Sequence, residues 1–426
     1  MAGNDGESKG EYEKDPRTPC KYGVKCYQKN PQHHKTYKHP PKEKPKDVGT
    51  PAKKQKLEKN ERKDGHSPAP GNKQAVSKKV EGNLVTSNKT ESDTFVSNDE
   101  LKDLFLLEED LPPSPEDVKE SIKQKFLVDM PDDFYSFWSF CRFLKSEKPE
   151  DALKDVGLLL VGPYDVMNGK IKETKHRKLP LYLVHWRYYY DPPEFQTVMK
   201  GDDTKQYHMG YYRDSPDELP CFVASNSAAV DGTITPMAEN IFGAVNLYLD
   251  TMKEKCDPFR KMKVAKIQSS LQSWAKEHNF NLDKSTTKMR ERNKKVVTKT
   301  FHKAGIVVPF EKKTELGYRE LLETDANLKK ILQDINKSKT EEEREMYLGR
   351  LQPIVTGANI ANDECDFGTS LELGLDLFTF GGEILHHTAL FLLKTAYSLL
   401  EREEFGKIAE AHFKNRRRGT SLSIIK

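Results

Sequence analysis

From Ser114 onward apolar residues recur with the spacings of secondary structure, whereas between Pro40 and Thr94 there is no Phe, Trp or Tyr. Lys, Pro, Ser, Gly and Asn dominate that earlier stretch. It cannot bury enough apolar area to offset its ordering entropy, so residues 41–112 read as a disordered basic linker. Ser114-Pro-Glu-Asp117 then places an N-cap, a Pro at the first helical position and acids in the first turn, which predicts a helix to about Phe126. Pro131-Asp-Asp133 opens a second helix. Its Phe134, Phe137, Trp138, Cys141 and Leu144 are spaced by three and four residues, the mark of a core-facing stripe.

From Gly157 to Thr235 the rhythm shortens. The apolar runs are Leu158–Val161, Leu181–Trp186, Phe195–Met199, Tyr207–Tyr212 and Phe222–Ala224, separated by turn formers such as Asp-Pro-Pro and Gly-Asp-Asp. A largely antiparallel sheet is expected, with the aromatics Trp186 to Tyr190 packing on it rather than stacking bases. After Pro236 the pattern is helical, with helices predicted near 238–255, 258–277, 325–336, 341–350, 371–380, 383–401 and 404–415. Thr340 with Glu343, and Thr369 with Glu372, have the spacing of capping boxes. The body is therefore α+β: a sheet-bearing domain over 113–236, a helical domain over 237–415 and a basic tail over 416–426. No repeat of 20 to 50 residues is visible.

Charge divides the chain unevenly. Residues 1–90 carry 21 Lys and Arg against 11 Asp and Glu, leaving 49 against 55 downstream. A basic arm on a mildly acidic body suits polyanion contact by the arm, including non-specific DNA contact. Within the arm, the Lys-dense run Pro51–Lys63 reads as a nuclear import signal, a DNA grip or a solvated linker. The opening MAGNDGESKG is polar and acidic, and no uncharged apolar run approaches the roughly 18 residues of a membrane span. Neither signal-peptide secretion nor membrane insertion is expected. Six cysteines in 426 residues are too few for a disulfide framework, so a close pair is read as metal ligands.

Such a pair exists over 14–40: Cys20 and Cys26, followed by His33 and His39. Two thiolates and two imidazoles meet the tetrahedral requirement of structural Zn2+, and a segment this short needs a staple. His34 is an equally spaced substitute for His33. The residues Arg17-Thr-Pro-Cys20-Lys-Tyr22-Gly23, Cys26-Tyr27, Asn30-Pro31 and His39-Pro40 resemble the poly(ADP-ribose)-binding zinc finger. That resemblance implies that Arg17, Tyr22 and Tyr27 contact adenine and phosphate of the polymer.

The body shows no dinucleotide fingerprint, P-loop, nucleophile elbow or zincin motif, so no autonomous enzyme is indicated. It does carry an acidic knot, Asn362-Asp363-Glu364-Cys365-Asp366-Phe367-Gly368. Three carboxylates in four residues repel one another and should raise at least one pKa. A blander reading has the acids gathered at a helix N-terminus for its dipole.

The blocks Leu160–Asp165, His185–Thr197, Gln206–Glu218, Lys294–His302, Gly317–Glu320 and Ala361–Phe367 are similar to those of the histone PARylation factor 1 family, and the finger beside them resembles its arthropod form. The resemblance implies an accessory factor that docks on a DNA-damage-activated poly(ADP-ribose) polymerase in the nucleus, at damaged chromatin. It implies Glu364 as the general base, with Asp363 beside it, and Tyr318 and Arg319 at the docking contact. It further implies serine of histones as the acceptor, shortened polymer chains, and NAD+ reaching the site only through the partner. Ile360 departs from the family pattern, which has an aromatic there. A second reading, an adaptor that reads poly(ADP-ribose) and tethers cargo to damaged chromatin, needs no carboxylate at Glu364.

Overall fold

The protein is described by a computed structural model covering residues 14–20, 23, 31–40, 109–173 and 177–425. Residues 41–108 of the expected linker, Pro51–Lys63 among them, lie outside the described residues. At the N-terminus β1 (Thr18–Pro19) pairs in parallel with β2 (Tyr37–Lys38), and α1 (Pro31–Thr36) runs into β2.

The body begins with α2 (Val118–Phe126) and α3 (Asp132–Leu144). Ser114 does not cap α2. Asp117 does, accepting from Glu120 N–H at 2.9 Å, while Ser114 Oγ accepts from Lys125 Nζ at 2.9 Å. A short α4 (Tyr164–Met167) follows β3 (Leu159–Leu160). The run expected as a strand at Leu181–Trp186 is instead α5 (Leu179–Leu183) followed by a loop. Pro180 in its first turn favours helix and cannot donate to a ladder, which explains the difference.

β3, β4 (Phe195–Lys200), β5 (Tyr207–Tyr212), β6 (Phe222–Ser227) and β7 (Thr235–Ala238) form a five-stranded antiparallel meander in chain order. β7 is absent from the apolar pattern, being short and carrying Pro236, a residue tolerated on an edge strand. Alternate side chains face two cores. Met209, Tyr211 and Val223 pack with α2, α3, α6 (Ile241–Lys255) and α7 (Pro258–Glu277). Phe195, Tyr212, Phe222 and Ala224 face Met289 and Ala304. Met289 belongs to α8 (Thr287–Lys295), a helix too charged to be read from hydrophobic spacing. It is held by Arg292, which makes two hydrogen bonds to Asp214 at 3.0 and 2.7 Å.

The helical half contains α9 (Asp325–Lys337), α10 (Glu341–Asp363), α11 (Phe367–Phe380), α12 (His386–Leu399) and α13 (Glu403–Lys414). α10 was expected to stop near residue 350, ahead of Pro353, yet it runs through that proline for three more turns. α11 is buried from Phe367 to Thr379 and is the axis of this second core. The expected tail does not hang free. Arg416 lies 4.0 and 3.9 Å over the rings of Tyr189 and Phe378 and donates to the Tyr189 and Phe378 carbonyls. Leu422 is buried, and Ile424 N–H donates to His185 Nδ1 at 3.1 Å. Tyr188 and Tyr189 are buried too, Tyr188 stacked 3.8 Å from His208. No helix among the described residues is long and apolar enough to cross a membrane.

The two halves meet where Tyr397 of α12 donates its hydroxyl to Glu194, just before β4, at 2.7 Å. Burial raises the Glu194 carboxyl to about 7, with the Tyr397 bond opposing. A carboxyl raised on folding gives stability that is present below its ordinary range and lost as pH climbs to the folded value, at about 1.4 kcal/mol per pH unit between them. Glu194→Gln keeps an acceptor for Tyr397 and cannot ionise. Thermal denaturation should show the variant gaining on the wild type from pH 5 to 7, with the difference level above that. A difference independent of pH would contradict the assignment.

Candidate functional site

The acidic knot is the corner between α10 and α11. Glu364 is the C-cap of α10, and Cys365 takes the left-handed conformation at φ 69°. Asp366 N–H donates to the Ala361 carbonyl at 2.8 Å and Cys365 N–H to that of Asn362 at 3.0 Å. These two bonds make a Schellman cap, here with Cys at the position glycine usually holds. α11 starts at Phe367, earlier than expected, and no capping box forms at Thr369. At α10, Thr340 Oγ1 does accept from Glu343 N–H, but the Glu343 carboxylate takes Lys339 N–H rather than that of Thr340.

The hydroxyl of Thr369 instead ties down a second segment, Gly317-Tyr318-Arg319. It accepts from Arg319 N–H at 3.1 Å and donates to the Arg319 carbonyl at 2.7 Å. Gly368 N–H donates to the Gly317 carbonyl at 2.9 Å, and Gly317 N–H donates to Asp366 Oδ1 at 2.9 Å. Gly317 is needed here: its φ is 112°, and a Cβ would fall 1.9 Å from the Pro309 carbonyl oxygen. Tyr318 donates its hydroxyl to Glu372 Oε2 at 3.1 Å, while Thr298 donates to Oε1 at 2.7 Å.

The three acids of the knot thus sit in three environments. Asp363 is exposed. Glu364 is half exposed and pairs with Arg319 Nη1. Asp366 is buried, and burial raises its carboxyl against the opposing Gly317 N–H and Arg319. The raised pKa expected of the knot therefore falls on Asp366, and its first cause is desolvation. Asp366 alone stands at a helix N-terminus. Asp363 and Glu364 stand at the C-terminal end of α10, where the helix dipole repels carboxylates. The dipole reading does not explain them, and Arg319 is the compensating charge.

Ile360 lies one turn before Glu364, 49% exposed, and Leu322, 68% exposed, covers the face of Gly357 one turn earlier. Residues 357, 360 and 364 share one side of α10. An exposed apolar stripe therefore runs up to the Glu364 carboxylate. Glu372, Thr369, Thr298 and Gly317, the supports of Tyr318 and Arg319, were missed from the sequence. Only the pair of glycines flanking the two segments hinted that their backbones would approach.

A family profile described as Histone PARylation factor 1 matches residues 117–416. Histone PARylation factor 1 of Bos taurus is 46% identical over 304 residues, covering 71% of this chain and 88% of the relative. The Mus musculus protein is 46% identical over 305 residues, covering 70% and 87%, and that of Danio rerio is 44% identical over 303 residues, covering 71% and 86%. The chain belongs to the histone PARylation factor 1 family. The family profile begins at residue 117, and a second profile, described as PBZ domain, matches residues 17–42.

In that finger Cys20 Sγ lies 3.6 Å from His33 Nε2, which lies 3.0 Å from His39 Nε2. Ligand atoms on one tetrahedral zinc are separated by about 3.3–3.6 Å, so these three side chains fit the ion. Burial, with His39 and His34 alongside, lowers His33 to about 4, keeping it the neutral imidazole that a ligand must be. His34 is exposed, with its carbonyl accepting from Arg17. Arg17 also donates from Nε to Asp15 at 3.0 Å. Cys26, Tyr22 and Tyr27 lie outside the described residues.

Half-exposed ion pairs contribute about 0–1 kcal/mol. Arg319→Ala should therefore melt within about 2 °C of wild type, its backbone bonds to Thr369 remaining. Gly317→Ala should lower the melting temperature by about 5 °C or more, through positive φ and overlap with Pro309. Equal losses in calorimetry would show that Arg319 is there for folding.

Proposed function

We propose that this protein docks on a DNA-damage-activated poly(ADP-ribose) polymerase and completes its active site with Glu364 as general base, directing ADP-ribose to serine on histones. The observation that carries this reading is electrostatic: Glu364 is held by Arg319 at a helix end that disfavours it, at the tip of an exposed apolar stripe. Charge placed against local stability, on a surface suited to a protein partner, is the mark of function rather than folding. Tyr318 and Arg319 are the docking pair, and Asp363 faces the polymerase beside them.

The chemistry explains the need. ADP-ribose leaves NAD+ through an oxocarbenium-like centre as the bond to nicotinamide breaks, and nicotinamide departs with the electron pair. A carboxylate acceptor attacks already ionised, whereas a serine hydroxyl carries its proton at pH 7. Glu364 takes that proton as the serine oxygen bonds to the ribose carbon, and returns it to solvent. A docked factor also crowds the side from which a growing chain enters, so polymers stay short. The finger, with zinc on Cys20, Cys26, His33 and His39, binds poly(ADP-ribose) through Arg17, Tyr22 and Tyr27 and keeps the protein at damaged chromatin in the nucleus.

Glu364→Gln keeps shape and removes the basic oxygen. The variant should bind the polymerase catalytic domain like wild type, while serine transfer falls by about 10²–10⁴. Arg319→Ala should instead lose binding. Serine transfer by Glu364→Gln within about threefold of wild type would replace this mechanism with the adaptor reading.

A further inference from the structure

The finger does not stand apart from the acidic corner. Cys20, 6% exposed, packs with Cys365 and Phe367, each 5% exposed, and Tyr37 of β2, Leu316 and Leu400 close around them. Cys365 is the residue between Glu364 and Asp366, Phe367 is the first residue of α11, and Leu316 directly precedes Gly317-Tyr318-Arg319. One small apolar seat is thus built from the turn that presents Glu364 and from the start of the segment that carries Arg319. Its occupant is the chain's own finger.

We infer that this seat is an autoinhibitory contact: the seated finger covers the corner at which the polymerase would dock, and poly(ADP-ribose) captured by the finger lifts it away. This rests on the proposed docking function. Sixty-eight residues separate Pro40 from Glu109, a contour of about 200 Å, so the finger can leave its seat and remain on the molecule. The connection also keeps the finger at high local concentration, so a small seat suffices to hold it. If the seated form is nine-tenths populated, the apparent affinity for the polymerase is reduced about tenfold, and product polymer restores it. The first polymer made would then recruit more active factor.

The test uses the full chain with zinc. Alkylation of Cys365, located by mass spectrometry, reads the seat without any polymerase, and titration with the polymerase catalytic domain reads docking. Tyr37→Glu on the finger and Leu316→Glu on the body should each raise the Cys365 alkylation rate by about tenfold, as should added poly(ADP-ribose) on wild type. Tyr37→Glu, which leaves the docking residues intact, should also bind the polymerase about tenfold more tightly. Alkylation unchanged in both variants overturns the seat. Faster alkylation with unchanged polymerase affinity in Tyr37→Glu overturns autoinhibition, and alkylation insensitive to polymer overturns release by product. If no form binds the polymerase, the proposed function fails and autoinhibition with it, while the alkylation rates still decide the seat.

Discussion

The burial of α11 on every side is the constraint from which the rest of the site follows. Thirteen consecutive residues, Phe367 to Thr379, are buried, so this helix has no freedom to tilt or rotate without opening the second core. Its first turn consequently holds two other pieces of backbone in place. The Schellman cap joins it to the end of α10, and Asp366, Gly368 and Thr369 bind Gly317 and Arg319. Glu364, Tyr318 and Arg319 come from segments some 45 residues apart, yet none of them relies on a mobile loop for its position.

That rigidity carries an electrostatic cost. A helix C-terminus is a poor place for carboxylates, and the same corner places Asp366, whose carboxyl is raised by burial, two residues from Glu364. Arg319 spans the pair, binding Glu364 and lying 3.8 Å from Asp366. A chain selected for stability alone would have neutral residues here. Behind the corner, Glu372 is likewise raised by burial and held by Thr298 and Tyr318. The site is an acidic patch organised by one arginine and a few hydroxyls.

The fold class was legible because its strongest signals are local. The stripe of α3, the strands β4 to β6 and the helices from α6 onward follow apolar periodicity. The failures have physical causes of the same kind. Leu181–Trp186 has a strand's composition but a proline where a ladder needs a donor, α8 has a charged surface and a buried ion pair that no periodicity reveals, and α10 tolerates Pro353. Residue identity and motif resemblance pointed to Glu364 and Arg319, but their pairing depends on contacts between segments distant in sequence. The same holds for Thr369, which looked like a cap and is instead a clamp on Arg319. Nor does any motif show that Cys20 meets Cys365.

The central claim is that the body changes which side chain accepts ADP-ribose. Acceptor-site mass spectrometry on histones, incubated with an activated poly(ADP-ribose) polymerase and NAD+ with or without this protein, tests it most directly. The account predicts modification mainly on Glu and Asp with the polymerase alone and mainly on Ser when the protein is present. An acceptor distribution unchanged by the protein would contradict it.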